Sequence, residues 1–138
     1  MKLRVLLADD HALFRDALRA TLESEADIEV VAEAADGYGV LKCVGQSRPD
    51  VVCMDMNMPG LDGIEATRQL LAIHPHVKVI GLSCDVDPYR VGEMINAGAL
   101  GYIDKMDAAT ELPLAIRRVS ENQLFLRPKL DIAAGLAK

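Results

Sequence analysis

Five polar residues stand at the ends of short apolar runs in this sequence, where their side chains could bind a cation and a phosphoryl group together. They follow four of five such runs: Asp9 and Asp10 come after 3–8, Asp55 after 51–54, Ser83 after 77–82, and Lys105 after 101–103. Any one of these acids alone would most simply be a loop residue or a helix cap. Three converging carboxylates repel one another, and a hard divalent cation relieves that repulsion. Mg²⁺ is therefore the expected cofactor, with Mn²⁺ as an alternative, because it takes one or two carboxylates plus waters and phosphate oxygens.

The same residues have the chemistry for phosphoryl transfer. A carboxylate beside Mg²⁺, here Asp55, can attack a phosphoryl donor and form an aspartyl phosphate. This reaction mainly needs alignment and neutralisation of the phosphoryl oxygens. The amine of Lys105 and the hydroxyl of Ser83 could supply part of that neutralisation. Each residue alone is weak evidence for a phosphoryl-binding role. The evidence is stronger because each residue follows a predicted strand.

Strand-like and helix-like segments, which must position these residues, alternate five times along the chain. Runs of branched aliphatic residues predict strands at 3–9, 28–33, 51–55, 77–83 and 101–105. Apolar residues at helical spacing predict helices at about 12–24, 38–47, 63–73, 88–97 and 108–121. Strict alternation predicts an α/β fold with a doubly wound, five-stranded parallel sheet. In the flavodoxin-like order 2-1-3-4-5, ligands bind between the first and third strands, where Asp9, Asp10 and Asp55 are expected.

Local signals mark the ends of several of these elements. Asp36 and Asp62 are predicted N-caps of the second and third helices, and Gly98 is a predicted C-cap of the fourth. The Pro-Gly pair at 59–60 predicts a tight turn after the third strand. Gly63 would allow a close approach of two backbone segments.

Length and composition fit one aliphatic domain. The chain has 138 residues, of which 51% are hydrophobic and only 4% aromatic, as expected for a core of buried parallel strands. A formal net charge of −6 argues against sequence-independent binding of nucleic acid, because such binding needs a basic face on the protein. A loose basic stretch near the C-terminus is interpreted as a solvated surface; it contains Arg117, Arg118, Arg127 and Lys129.

Cysteine use and hydropathy predict where the protein works. The three cysteines are odd in number and have no CxxC spacing, which indicates a reducing, cytoplasmic setting. No leader peptide and no membrane-spanning run is recognised, so a soluble cytoplasmic protein is expected. Residues 1–122 are predicted to form the domain and 123–138 a C-terminal tail. That tail has three readings: a terminal helix opened by Pro128, the start of a linker, or a cut end of a longer chain.

Residues 1 to about 125 closely resemble the receiver domain of two-component response regulators. The matching motifs are LLADDH at 6–11, MDMNMPGLDG at 54–63, Ser83 after the fourth strand and GYIDK at 101–105. The run ADDHALFRDALRATL and the segment from 101 to 126 resemble in particular the NarL/FixJ subfamily. Members of that subfamily usually carry a C-terminal helix-turn-helix of the LuxR type, and no such element is recognised within this sequence.

The resemblance implies a role for each motif residue. Asp55 would accept the phosphoryl group from a sensor histidine kinase. Asp9, Asp10, Asp55 and the backbone carbonyl of Asn57 would hold Mg²⁺. Ser83 and Lys105 would bind phosphoryl oxygens, and Ser83 would move inward together with Tyr102 as a switch. The implied outputs are homodimerisation or control of a DNA-binding domain, and hence of transcription, without contact with a membrane.

Three residues depart from or lie beside this pattern. Met106 follows the lysine where many receivers have proline, although NarL-like members often lack that proline. Cys84 follows Ser83 where a very small residue is common, and simple tolerance of the thiol is the favoured interpretation. His11 adjoins the acid pair, but the resemblance places it outside the coordination sphere, so it is expected to be a helix-start residue.

Other functions fit these residues less well. A Mg²⁺-dependent phosphatase with an aspartyl nucleophile would need a general acid two residues later, where Asn57 stands, so an enzyme with turnover is not expected. A flavin mononucleotide binder would need a Gly/Ser/Thr-rich phosphate loop, where the acidic DDHALF stands. A phosphorylation-independent interaction module is disfavoured because the chemical residues are all present. A stand-alone receiver acting through protein contacts is the alternative to a transcription regulator.

Overall fold

Strands and helices alternate along the described part of the chain. The structure is a computed structural model that describes residues 2–84 and 87–127. The strands are β1 Leu3–Ala8, β2 Ile28–Ala34, β3 Val51–Asp55, β4 Lys78–Ser83, β5 Gly101–Asp104 and β6 Phe125–Arg127. The helices are α1 Ala12–Glu23, α2 Gly37–Ser47, α3 Gly63–Ile73, α4 Pro88–Asn96 and α5 Ala108–Ser120. The first five strands and all five helices begin and end within one residue of the predicted positions.

The strands form one sheet in the order β2-β1-β3-β4-β5-β6, and all neighbours are parallel. The predicted α/β class and the order of the first five strands are confirmed, but the sheet has six strands rather than five. The additional strand β6 lies in the segment that the sequence assigned to the tail. It begins where Phe125 N–H donates to the carbonyl of Leu100 at 2.9 Å, so a short apolar segment completes the edge of the sheet beside β5.

Two apolar layers cover the two faces of the sheet. On one face, buried residues of α1 and α5 such as Leu22 and Ile116 pack on alternate strand residues. On the other face, α2, α3 and α4 contribute Val44, Leu70 and Met94, among others. The central strand β3 is buried along its whole length. Helices on both faces leave the carboxyl ends of the strands as the open edge where polar groups can gather.

The predicted N-caps Asp36 and Asp62 are confirmed, whereas the C-cap of α4 is Ala97, one residue before the predicted Gly98. The Asp36 carboxylate accepts from Gly39 N–H at 2.7 Å, and the Asp62 carboxylate accepts from Glu65 N–H at 2.9 Å, so both satisfy a free donor of the first helical turn. Gly98 follows α4 with a φ of +116°, a conformation that an L side chain rarely adopts.

Some sequence predictions fall outside the described residues. These include the possible terminal helix or linker within 128–138 and the basic residue Lys129. Among residues 2–84 and 87–127, no helix is both long enough and apolar enough to cross a membrane.

Candidate functional site

The carboxyl ends of β1, β3, β4 and β5 meet in one crevice. Asp9 follows β1 and Asp55 ends β3; these strands are neighbours, with Ala8 paired to Met54. Ser83 ends β4 and is paired with Asp104 of β5, directly before Lys105. The strand order therefore brings together the residues that the sequence predicted to act together.

Lys105 is the charged centre of this crevice. Its ammonium nitrogen lies 2.9 Å from Asp9 Oδ2 and 3.3 Å from Asp55 Oδ2, and its side chain is only 9% exposed. The same nitrogen lies 4.9 Å from the centre of the Phe14 ring, which covers the lysine from the side of α1. Burial alone would lower the pKa of Lys105, but its contacts with Asp9 and the charge of Asp55 outweigh it and raise the pKa.

The two carboxylate oxygens that face Lys105 are buried and not well satisfied. Neither Asp9 Oδ2 nor Asp55 Oδ2 accepts a hydrogen bond of good geometry from a described residue. Their short distances to the lysine nitrogen are therefore best described as charge–charge contacts. Buried carboxylates with free lone pairs are ready to accept a further cationic partner.

Asp55 lies in an environment that disfavours its charged form. Burial raises the pKa of Asp55 most, and the neighbouring charge of Asp9 raises it further. The N–H of Asn57, which donates to Asp55 Oδ1 at 3.0 Å, and the ammonium of Lys105 act in the opposite direction but do not cancel the shift. A divalent cation next to Asp55 would favour the ionised form, which is the nucleophilic one.

Asp9 is held in place through its backbone as well as its side chain. Its N–H donates to the carbonyl of Ala34 in β2 at 3.0 Å, and its carbonyl accepts from Arg15 Nη1 at 2.5 Å. Arg15 Nε also donates to Glu33 Oε1 at 2.8 Å. Burial would raise the pKa of Glu33, but hydrogen bonds from Arg15 and Arg19 outweigh it and hold the pKa below its usual value. This charged network therefore fixes the β1–α1 turn that presents the acids.

The acid cluster has a donor set that fits a divalent cation. Asp9, Asp10, His11 and Asp55 each offer one ligand atom, and these atoms all lie within 4.8 Å of one another. Opposite ligands at about 2.1 Å from Mg²⁺ would be about 4.2 Å apart, so binding would draw the cluster together slightly. Asp9 and Asp55 are buried while Asp10 and His11 are exposed, so the cluster reaches from the interior to the surface.

Ser83 and Asn57 lie at the other side of Asp55. Ser83 is 2% exposed, and Asn57 Nδ2 lies 3.5 Å from its hydroxyl oxygen, at the long limit of a hydrogen bond. Asn57 itself is exposed. An amide in this place can position a ligand oxygen but cannot act as a general acid.

Tyr102 is completely buried in the layer that contains α2, α3 and α4. The same layer contains the methionines Met54, Met56 and Met94, which are flexible and adapt to irregular space. The ring thus lies inside the protein, in the register position opposite Gly81 of β4.

Sequence reasoning missed three contributors to the site. Arg15 and Phe14 lie on α1, whose apolar spacing was interpreted only as evidence for packing. A basic residue one helical turn after an acidic strand end could have predicted the contact of Arg15 with that strand end. The position of the His11 side chain against the acids could not be read from sequence, because it depends on the path of the β1–α1 turn.

The fold and the site together define a parallel α/β domain with an acidic cluster between its first and third strands. The response regulator receiver domain family matches residues 5–117, and the chain belongs to this family. It is 43% identical over 129 residues to the transcriptional regulatory protein LiaR of Bacillus subtilis, which covers 94% of this chain and 59% of that protein. It is 39% identical over 135 residues to the response regulator UvrY of Escherichia coli, covering 98% and 61%.

Solved structures agree with this assignment. A LuxR-family two-component response regulator from Aurantimonas superimposes with a TM-score of 0.89 at 31% identity, covering 99% of this chain and 96% of that one. The signal receiver domain of NarL from Mycobacterium tuberculosis gives a TM-score of 0.84 at 30% identity, covering 88% and 98%. The chain spans only about 55–61% of the length of the curated relatives, so it corresponds to their receiver part.

Proposed function

We propose that this chain is a phosphorylation switch in which Asp55 accepts a phosphoryl group from a sensor histidine kinase. The observation that carries the proposal is the buried contact of Lys105 with Asp9 Oδ2 and Asp55 Oδ2 at the switch point of the sheet. A carboxylate oxygen of Asp55 would form a bond to phosphorus while the bond to the donor breaks, its electron pair leaving with the donor. When bound, Mg²⁺ would neutralise negative charge on the transferred group.

The surrounding residues would divide the remaining tasks. Asp9, Asp10, Asp55 and the backbone carbonyl of Asn57 would hold the cation. Lys105 would exchange its contact with Asp55 Oδ2 for a phosphoryl oxygen, at little cost because the ammonium is already in place. In this role the domain accepts and later loses one phosphoryl group, by self-phosphorylation and autodephosphorylation chemistry only, and turns over no separate substrate.

Ser83 and Tyr102 would transmit the change. The Ser83 hydroxyl lies at the end of β4, beside the crevice, and Tyr102 lies one strand further along the sheet. Phosphorylation would favour the arrangement in which Ser83 contacts the phosphoryl group, and it would hold Tyr102 in the buried position that the ring already occupies. The result would be a remodelled surface around α4 and β5 that favours a homodimer.

The output we propose is control of transcription in the cytoplasm. LiaR is named a transcriptional regulatory protein, and this chain matches about 59% of its length. We propose that regulation acts through a helix-turn-helix domain outside these 138 residues. A stand-alone receiver that acts through protein–protein contacts is the alternative.

The experiment is phosphorylation with acetyl phosphate in the presence of Mg²⁺, followed by intact-protein mass spectrometry. Wild type should gain the mass of one phosphoryl group, and Asp55→Asn should gain none because an amide is not a nucleophile here. Asp62→Asn is the matched control, since it removes an exposed cap acid of the same loop and should still be phosphorylated. An unmodified wild type, or modification of Asp55→Asn, would contradict the proposal.

A further inference from the structure

The imidazole of His11 lies against the acid cluster. Its Nδ1 atom is 3.1 Å from Asp9 Oδ1 and 3.3 Å from Asp10 Oδ1, although the side chain is 68% exposed. His11 is the N-cap residue of α1, yet its side chain makes no capping hydrogen bond. The ring is therefore held by the acids, through a hydrogen bond between Nδ1 and Asp9 Oδ1, and not by the start of the helix.

The distances between these three atoms match those between ligands of one metal ion. Zn²⁺ and related ions bind imidazole nitrogen and carboxylate oxygen at about 2.1 Å, so adjacent ligands are about 3.0–3.4 Å apart. The two distances from His11 Nδ1 fall within that interval. In addition, two buried carboxylate oxygens of the cluster, Asp9 Oδ2 and Asp55 Oδ2, have no well-formed hydrogen bond from a described residue.

We propose that His11 Nδ1 is a nitrogen ligand that lets this cluster bind transition cations of the Zn²⁺, Co²⁺ and Ni²⁺ class. Imidazole suits these ions, whereas Mg²⁺ prefers carboxylate, carbonyl and water oxygens. His11 therefore sets metal selectivity: it strengthens the binding of transition cations and contributes nothing to Mg²⁺. The inference rests on the cation site of the proposed function, but not on phosphorylation of Asp55.

The surface beside His11 gives such an ion access and introduces one competing ligand. An open, largely apolar depression of about 410 Å³ is lined by His11, Leu13, Phe14, Cys84, Lys105 and Met106. Cys84 is exposed in it, and thiols also bind Zn²⁺. Cys84 is not among the groups whose ligand atoms cluster with His11, so an ion held by His11 should not depend on the thiol.

The experiment is calorimetric titration of the full chain with Zn²⁺, Co²⁺ and Mg²⁺ separately, with no phosphoryl donor present. The test variant is His11→Asn, which should fold because asparagine is favoured at an N-cap and which replaces the ring by a shorter amide. We expect it to weaken Zn²⁺ and Co²⁺ binding by at least about tenfold. Mutation of a residue that only hydrogen-bonds to a metal ligand can already lower metal affinity by that factor. Mg²⁺ affinity should stay within about twofold of wild type.

Two control variants separate this site from other metal-binding groups. His76→Asn removes an exposed histidine at the opposite end of the sheet, and Cys84→Ser removes the thiol of the depression; both should bind Zn²⁺ like wild type. Unchanged Zn²⁺ and Co²⁺ affinity in His11→Asn would overturn the proposal. An equal loss for Mg²⁺ would also overturn it, because His11 would then only position the acids. Phosphorylation of Asp55 could still succeed in either case.

Discussion

At the scale of single residues, Lys105 matters because one amine faces two buried carboxylates. A buried charge is stabilised only while its partner is present, and removal of one partner of a buried pair usually costs more than the pair contributes. The contacts at 2.9 and 3.3 Å therefore make Lys105 important for stability as well as for the proposed chemistry.

We expect Lys105→Met to lower the free energy of unfolding by about 3 kcal/mol in the absence of divalent cations, because Asp9 and Asp55 are left facing each other without a counter-charge. Mg²⁺ should restore much of this loss, since it would supply the missing positive charge and binds only the folded cluster. Urea unfolding with EDTA and with Mg²⁺ measures both quantities.

Lys42→Met provides the comparison, because it removes an exposed lysine of α2 and should change stability by less than about 0.5 kcal/mol under either condition. If Lys105→Met were as stable as this control in EDTA, the ion pair would not contribute to stability as described.

Most of the residues of the site could be predicted from sequence, but their contacts could not. Strand order and residue type were sufficient to place Asp9, Asp55, Ser83 and Lys105 at one edge, as the structure confirms. The sequence did not show which acid is buried, because adjacent residues at a strand end point in different directions and only the turn decides between them. Nor did it show that His11 contacts the acids, since the side-chain direction also follows from that turn.

At the scale of elements, the approach of α3 to β3 depends on Gly63. A Cβ atom at this position would lie 2.4 Å from the carbonyl oxygen of Asp55 and 2.8 Å from the Cα of Met56. Gly63 N–H donates to the Met56 carbonyl at 3.2 Å, so the start of α3 lies directly on the backbone that carries Asp55. The predicted close approach at this glycine is confirmed.

We expect Gly63→Ala to lower the free energy of unfolding by about 1–3 kcal/mol, the usual cost of overpacking, and to weaken Mg²⁺ binding because Asp55 must shift. Gly45→Ala is the matched control: it lies within α2, and apart from the nearby backbone of that helix and its two chain neighbours, no atom of the described residues would lie within 4 Å of its Cβ. Alanine is the better helix former, so this variant should gain about 0.5–1 kcal/mol. Thermal unfolding and Mg²⁺ titration of both variants measure the effects, and equal behaviour of the two would contradict this account.

Strand β6 shows why an element can escape sequence reasoning. It has only three residues, Phe125–Arg127, too few for a period of two to be recognised. Its formation depends on the turn at Asn122, which has a φ of +63°, and on the free edge of β5. Both are tertiary features. The five longer strands can be recognised in the sequence because they are continuous aliphatic runs.

At the scale of the whole molecule, an ion-pair group joins distant parts of the chain. Arg117 of α5 contacts Glu25 Oε1 at 2.5 Å and both carboxylate oxygens of Asp27 at 2.9 Å. The hydrogen bonds from Arg117 lower the pKa of Asp27 from 3.8 to about 2. The pair thus ties the last helix to the loop between α1 and β2.

This shift gives the contribution of Asp27 a definite pH dependence. Because its pKa is lower in the folded state, the unfolded state binds the proton more readily, so the contribution is complete above about pH 4 and is lost as the pH falls through about 2. We expect the difference in urea midpoint between wild type and Asp27→Asn to decrease over that window.

Arg118→Gln removes the neighbouring exposed charge of α5 and should leave that decrease unchanged, while Arg117→Gln should abolish it. A midpoint difference that stays constant between about pH 5 and about pH 2 would show that the ion pair is not formed in solution.

The charge balance of the crevice has a consequence for how the domain responds to its surroundings. Asp9 and Asp55 face one ammonium group and Asp10 belongs to the same cluster, so negative charge is in excess, and an incoming phosphoryl group would add more. Neither a donor without a divalent cation nor a cation without a donor would then phosphorylate the protein. The domain would act as a coincidence detector, because it would respond only when a phosphoryl donor and a divalent cation are present together. The free cation concentration would then set how strongly the domain is phosphorylated at a given donor concentration.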